Sequence, residues 1–138
     1  MPRQFPGELK KYDKACVLLE ETLRIRIKIL GMKDKSVAHA LFSLGILFSK
    51  KHEYEAALKT LTDCLTIQQT SLGVDAIETA DTLRAIGQCL GNSGDYLEAV
   101  NVWNEAYGIY SKHENGSLKL KALKRDLDLG YRLVEGSS

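Results

Sequence analysis

The chain has 138 residues, of which 44% are hydrophobic, and this is enough to build one domain with a substantial core. Its 19 Lys and Arg residues nearly balance 18 Asp and Glu residues, so no overall basic field favours nucleic acid or an anionic membrane as a partner. No apolar run approaches transmembrane length, and the first residues lack the apolar core of a signal peptide.

A period of 42 residues runs along the chain. Tyr12, Tyr54 and Tyr96 follow this spacing. It also relates two further sets, which are Ala15, Ala57 and Ala99, and Ile25, Ile67 and Ile109. A fixed period of this length predicts an array of repeats, because each unit buries its apolar face only against its neighbours.

The first predicted element is a helix over residues 8–30. Within it, Leu23–Leu30 alternates apolar and basic residues, as a half-buried strand does. The repeat favours a helix instead, because Ile25 is in register with Ile67 and Ile109, which lie inside strongly helical apolar stripes.

Two complete helical pairs are predicted next, over residues 34–72 and 75–113. In the first pair, Leu41, Leu44, Gly45 and Phe48 precede the apolar stripe Tyr54, Ala57, Leu61 and Cys64. Forty-two residues later stand Leu83, Ile86, Gly87 and Leu90, followed by Tyr96, Ala99, Trp103 and Ala106. Gly45 and Gly87 predict close contact between paired helices, since glycine is otherwise costly inside a helix.

A last helix is predicted over residues 117–135, with Ser117 as its N-cap. Asp75 and Glu78 predict a capping pair at the start of the second complete repeat. Leu129-Gly130 aligns with the earlier units when one inserted residue is allowed. The predicted order is therefore a lone second helix, two helical pairs and a lone first helix.

At these residues the chain resembles the tetratricopeptide repeat family, in the long variant typified by kinesin light chains. Leu30-Gly31 and Leu72-Gly73 also resemble the Leu-Gly that ends the second helix of that variant. The resemblance implies an all-α, right-handed solenoid of helical hairpins, with about six antiparallel helices in one array over residues 1–138. It further implies a concave groove, lined by first helices, that holds a peptide segment or a partner helix.

The sequence offers no catalytic constellation. His39, His52 and His113 fall in different units, without a nucleophile or a second metal ligand at useful spacing. No glycine-rich phosphate loop is present either. We therefore predict a protein that is not an enzyme and has no cofactor or metal.

Cys16, Cys64 and Cys89 lie far apart inside predicted helices and show no metal-ligand spacing. We expect buried free thiols in a reducing compartment, and hence a cytoplasmic protein.

The helical spacing also predicts which side chains line the groove. On the first helices these are His39, Phe42, Ile46 and Ser49, then Asp81, Arg84 and Gln88, and in the last helix Tyr131 with Leu127 and Val134. Two alternatives stay open. Phe42 and Ile46 either face a ligand or pack between units, and Arg84 either holds a ligand carboxylate or pairs with Asp81.

The predicted function is a non-catalytic scaffold that binds a protein or peptide, and neither nucleic acid nor membrane is an expected partner. The alternative is a structural segment of a longer array that self-associates through uncovered ends, for example as a homodimer. Val17, Leu18 and Ile29 are the predicted oligomer contact, because the next unit has Lys59, Thr60 and Ser71 at the matching positions.

Overall fold

The structure, a computed structural model, describes residues 6–113 and 117–136, which form six α-helices without a strand in these two ranges. The helices are α1 (Pro6–Leu30), α2 (Lys35–Lys50), α3 (Tyr54–Ser71), α4 (Ile77–Asn92), α5 (Tyr96–His113) and α6 (Leu118–Gly136). Each helix packs on the next one in the chain, and α2 also touches α4. The prediction of an all-α solenoid is confirmed, and the alternating segment Leu23–Leu30 is helical.

Turn residues end the helices where the chain must reverse. Gly31, Gly73 and Gly94 have φ values of 88°, 108° and 91°, a region that favours glycine because it has no Cβ. His52 takes the place of glycine between α2 and α3, with a φ of 62°. Its ring Nδ1 lies 2.7 Å from the Tyr54 hydroxyl, so a side-chain hydrogen bond supports this strained position.

Two of the predicted caps can be compared with the structure. The backbone N–H of Leu120 donates to the Ser117 hydroxyl at 3.2 Å, so the predicted cap of α6 is confirmed. The predicted Asp75–Glu78 capping pair is wrong, because Ala76 is the N-cap residue of α4 and no side chain caps that end. Asp75 instead accepts a hydrogen bond from Lys112 of α5 at 3.2 Å, which holds the loop against the neighbouring helix.

The core lies between paired helices and continues between successive pairs. Ala57 and Ala99 are fully buried, as small residues must be where two helices approach closely. A Cβ added to Gly45 would lie 2.7 Å from two atoms of Leu61, and one added to Gly87 would lie 2.3 Å from Nε1 of Trp103. Both glycines therefore face the second helix of their own pair.

Gly130 of α6 has a different environment from Gly45 and Gly87. A Cβ there would meet Val100 at 2.7 Å and Trp103 at 3.3 Å, and both side chains belong to the preceding helix α5. Gly130 therefore faces the helix that precedes it, whereas Gly45 and Gly87 face the helix that follows them. The side chains that α6 buries there are Leu120, Leu123 and Leu127.

Candidate functional site

The first helices α2, α4 and α6 contribute to two adjoining cavities. The first cavity has a volume of about 580 Å³ and is lined by Arg26, Lys35, Ser36, His39, Phe42, Gln68, Leu72, Glu78 and Asp81. The second has a volume of about 360 Å³ and is lined by Phe42, Ile46, Ser49, Asp81, Arg84, Ala85, Gln88, Tyr110 and Lys119. Phe42 and Asp81 line both cavities, so the two cavities adjoin each other, and we call them together the inner groove.

Asp81 is a fixed carboxylate at the junction of the two cavities. It accepts hydrogen bonds from the Tyr110 hydroxyl and, at 3.3 Å, from Lys119 Nζ of α6. The Tyr110 side chain is fully buried, so the contact draws α5 and α6 towards α4. Asp81 thus has partners other than Arg84. One alternative for Arg84 was an ion pair with Asp81, and that pair is not among the ion pairs of the described residues.

Arg84 is half-buried and lines the second cavity, and a side chain of α5 is hydrogen-bonded to its backbone. The Arg84 carbonyl accepts a hydrogen bond from Trp103 Nε1 at 3.2 Å. Its charge influences Asp126 of α6. Burial raises the pKa of the Asp126 carboxyl, and the positive charges of Arg84 and Arg125 offset part of that rise. Arg84 thus contributes a positive charge to the lining of the second cavity.

A buried polar network lies under the first cavity. The Thr82 hydroxyl donates to Gln68 Oε1 at 2.6 Å, and Cys64 Sγ donates to the Ala38 carbonyl at 3.2 Å. Burial raises the pKa of the Cys64 thiol to about 11, so the thiol is protonated at neutral pH. The network fixes the Gln68 side chain beneath the cavity.

Charges of both signs surround the apolar part of the groove. Arg26 and Lys35 lie on one side of the first cavity, and Glu78 lies on the other. Arg26 Nη1 also donates to the Ser36 carbonyl at 2.9 Å, which fixes the guanidinium against the start of α2. Such a surface combines apolar contact area with oriented polar groups, as sites that bind peptides do.

Seven of the eight predicted groove residues line the two cavities. They are His39, Phe42, Ile46, Ser49, Asp81, Arg84 and Gln88. Tyr131 does not, because α6 is turned so that Tyr131 lies beside α5, where its hydroxyl accepts a hydrogen bond from Asn104 at 2.9 Å. For the same reason Leu127 is buried in the core and Val134 packs against it.

Sequence reasoning missed three groove residues that come from the second helices. Arg26, Gln68 and Tyr110 are each 42 residues apart and each directly follow one of the repeated isoleucines. In the structure each of the three lines the groove and is hydrogen-bonded to a first-helix residue. The 42-residue period contained this signal, because the three positions are equivalent in successive units.

The residues of the predicted oligomer contact do not line either cavity of the inner groove. Val17, Leu18 and Ile29 of α1 are 65%, 69% and 73% exposed, respectively.

Within the described ranges, no group of three or more His, Cys, Asp or Glu side chains is arranged to hold a metal ion. None of the six described helices combines the length and apolar character needed to cross a bilayer.

The pattern of the tetratricopeptide repeat matches residues 7–70 and 50–112, which together cover most of the chain. The chain belongs to the tetratricopeptide repeat (TPR) family. In this family the units are helical hairpins, as in the α2/α3 and α4/α5 pairs. No curated protein matches this TPR chain in sequence.

Solved structures share the fold at low sequence identity. BtubC (BKLC) from P. vanneervenii is similar with a TM-score of 0.85 and 19% identity, over 91% of this chain and 51% of that one. Two crystal structures of a Podosopora anserina putative kinesin light chain with nearly identical TPR-like repeats are also similar. Their TM-scores are 0.75 and 0.73 and their identities 18% and 17%, over 92% and 99% of this chain and 60% and 71% of those. The described chain thus spans about half of the BtubC chain that it matches.

Proposed function

We propose that this TPR array is a non-catalytic interaction module that binds a peptide segment or a partner helix of another protein in the inner groove. The observation that carries the proposal is that two adjoining cavities share Phe42 and Asp81 as lining residues. A ligand that spans both cavities gains apolar contact with Phe42 and Ile46 and a charge-assisted contact with Arg84. TPR repeats generally mediate interactions between proteins, which supports this function.

The composition of the groove supports a protein ligand and not a nucleic acid or a membrane. Its charges are mixed, with Arg84 and Lys119 near Asp81 and Glu78, and the whole chain carries a net charge of +1. Binding to nucleic acid requires a basic surface that neutralises several phosphates.

We also propose a cytoplasmic location, because Cys16, Cys64 and Cys89 are free and buried, which suits a reducing compartment.

A random peptide display library, selected against the full chain, provides the probe for the groove. Affinities of the selected peptides are then measured by fluorescence anisotropy for the wild-type chain and for a Phe42→Ala/Arg84→Ala variant. We expect the variant to bind at least about tenfold more weakly, because central apolar and Arg contacts carry most of the binding energy of an interface. Circular dichroism checks that the helix content is retained.

The matched control is Leu97→Ala with Lys59→Ala, which removes an exposed apolar and an exposed basic side chain outside both cavities. This variant should bind the selected peptides within about twofold of the wild type, since rim and remote side chains contribute little. Equal binding by the groove variant and the control variant, or selection of no peptide at all, would overturn the proposed site.

A second candidate function is self-association, and the exposure of Val17, Leu18 and Ile29 favours it specifically. Exposed apolar surface on a helical repeat promotes association, because burial against a second surface removes it from water. In this alternative the segment has a structural role, within a longer array or between copies of the chain. Hydrodynamic mass separates this candidate from the groove-binding function.

A further inference from the structure

We propose that a third cavity, between α4, α5 and α6, receives a cationic side chain, from Lys or Arg, of the protein that the inner groove binds. The inference deepens the proposed function and rests on it, because the cation is taken to belong to the same ligand. The cavity has a volume of about 220 Å³. Its lining includes six side chains of these helices, which are Gln88, Tyr96, Trp103, Asp126, Leu129 and Leu133.

The third cavity shares a residue with the inner groove. Gln88 lines both the second and the third cavity. The 42-residue period agrees with this placement, since Phe42, Arg84 and Asp126 occupy the same repeat position in α2, α4 and α6. Phe42 and Arg84 line the second cavity, and Asp126 lines the third. A groove ligand that contacts Gln88 therefore borders both cavities.

The charge of its lining distinguishes the third cavity from the inner groove. Asp126 supplies a carboxylate, and no Lys or Arg of the described ranges lines this cavity. The first cavity has two basic lining residues, Arg26 and Lys35, and the second has Arg84 and Lys119. A carboxylate without a basic residue in the same lining attracts a cation, so charge complementarity favours a Lys or Arg side chain as the occupant.

The Asp126 carboxyl is half-buried and has no directly bound partner. No residue in the two described ranges forms a hydrogen bond or an ion pair with this carboxyl. Arg84 and Arg125 attract it over a longer range, and burial raises its pKa more than these two charges lower it. A cation in the third cavity would supply the close partner that this carboxyl lacks.

The other walls of the third cavity are apolar. Leu129 and Leu133 are 54% and 37% exposed. Two glycines leave the six-membered ring of the indole without a covering side chain, since a Cβ on Gly91 would lie 3.5 Å from Trp103 Cη2 and one on Gly130 would lie 3.3 Å from Trp103 Cζ3. Lys and Arg have long aliphatic stems that pack on apolar surface while the charged head contacts a polar partner. Apolar walls with one carboxylate therefore fit these two side chains.

The single tryptophan makes the third cavity observable, because Trp103 gives the only indole N–H signal of the chain in a ¹H–¹⁵N NMR spectrum. The full chain is titrated with the Nα-acetyl N-methylamides of lysine, arginine and norleucine, of which norleucine lacks the charge. We expect saturable shifts of the indole signal with the two charged probes. Their dissociation constants should be about three- to tenfold lower than that of the norleucine probe, because each gains one partly exposed ion pair.

Asp126→Asn removes the charge of the cavity and keeps the shape of the side chain. It should weaken the binding of the charged probes by about three- to tenfold and leave the norleucine probe unchanged. Asp128→Asn is the matched control, since Asp128 is an exposed carboxylate of α6 that does not line the third cavity. Binding of all three probes to this control should stay within about twofold of the wild type. Circular dichroism of both variants verifies the fold.

Peptides selected against the full chain test whether the cation belongs to the groove ligand. Each Lys or Arg of a selected peptide is replaced in turn by norleucine, and the affinity is measured for the wild type and for Asp126→Asn. One replacement should weaken binding to the wild type by about three- to tenfold and leave binding to Asp126→Asn unchanged, because a direct pair is lost only once.

Three results would overturn the third cavity as a cation site. They are charged probes that do not bind saturably, a norleucine probe that binds as tightly as they do, and equal binding of the charged probes to Asp126→Asn and Asp128→Asn. Charged probes that bind, together with peptides of which no residue is coupled to Asp126, would overturn the assignment of the cation to the groove ligand. The probe titration needs no peptide, so a failure of the groove function is distinguishable from a failure of the third cavity.

Discussion

The two complete helical pairs use a glycine at the same repeat position but place different side chains against it. In the α2/α3 pair, Gly45 faces Leu61, and an added Cβ would lie 2.7 Å from Leu61 Cδ2 and Cγ. In the α4/α5 pair, Gly87 faces Trp103, and an added Cβ would lie 2.3 Å from Nε1 and 2.4 Å from Cδ1. The second contact is tighter and involves a rigid ring in place of a branched aliphatic side chain.

The difference between Trp103 and Leu61 shows what the larger side chain contributes to the array. Trp103 donates a hydrogen bond to the Arg84 carbonyl and also lies against Gly130 of α6. One side chain therefore links α4, α5 and α6 and supports the backbone of a groove residue. Leu61 fills the matching position in the first pair without a polar contact, so that pair depends on apolar packing alone at this point.

The largest expected effect comes from Trp103→Ala, which should lower the free energy of unfolding by about 3–5 kcal/mol, against about 2–5 kcal/mol for Leu61→Ala. Denaturant unfolding measures both values. Hydrogen exchange should also show faster exchange in α6 for Trp103→Ala only, since that side chain contacts Gly130. Equal protection of α6 in both variants would contradict the linking role of the indole.

Adding one methyl group at each glycine sharpens the comparison. Gly87→Ala should lower the free energy of unfolding by about 1–3 kcal/mol, because the indole ring has to move and its hydrogen bond to Arg84 is disturbed. Gly45→Ala should cost less, since Leu61 has two rotatable bonds and alanine favours a helix by about 1 kcal/mol over glycine. Denaturant midpoints with unchanged slopes decide this, and a larger loss for Gly45→Ala would reverse the comparison.

The smallest effect concerns the pH dependence of the first pair. The first pair has Cys64 at the repeat position where the second pair has Ala106. Burial raises the pKa of the Cys64 thiol from 9.0 to about 11. Below pH 9 the thiol is protonated in both the folded and the unfolded chain. Between pH 9 and about 11 only the unfolded chain loses this proton, so the stability contributed by Cys64 is lost as the pH rises through that window.

Cys64→Ala, which gives the first pair the residue of the second, should make the loss of stability between pH 9 and 11 less steep. Unfolding by urea at several pH values measures the slope for both chains. Ala106→Cys offers the reverse test, since it should make that loss steeper if the second pair buries a thiol equally well. Identical slopes in the wild type and Cys64→Ala would show that the thiol is accessible to solvent.

The 42-residue period and the helical spacing determined the number of helices and most of the inner groove. Phe42, Ile46, Arg84 and Gln88 line the second cavity because α2 and α4 are each flanked on both sides, so a residue's helical position fixes its direction. The function of these residues remains a prediction, because geometry places side chains and does not identify a ligand.

Only the tertiary structure decided the orientation of α6 and the connections across the groove. Tyr131 lies beside Asn104 because α6 turns its buried leucines towards α5. The link from Tyr110 to Asp81 joins residues 29 positions apart, and no local pattern indicates such a pair. The physical reason is that periodicity records which side of a helix is apolar, whereas the packing of neighbouring helices determines which partner that side meets.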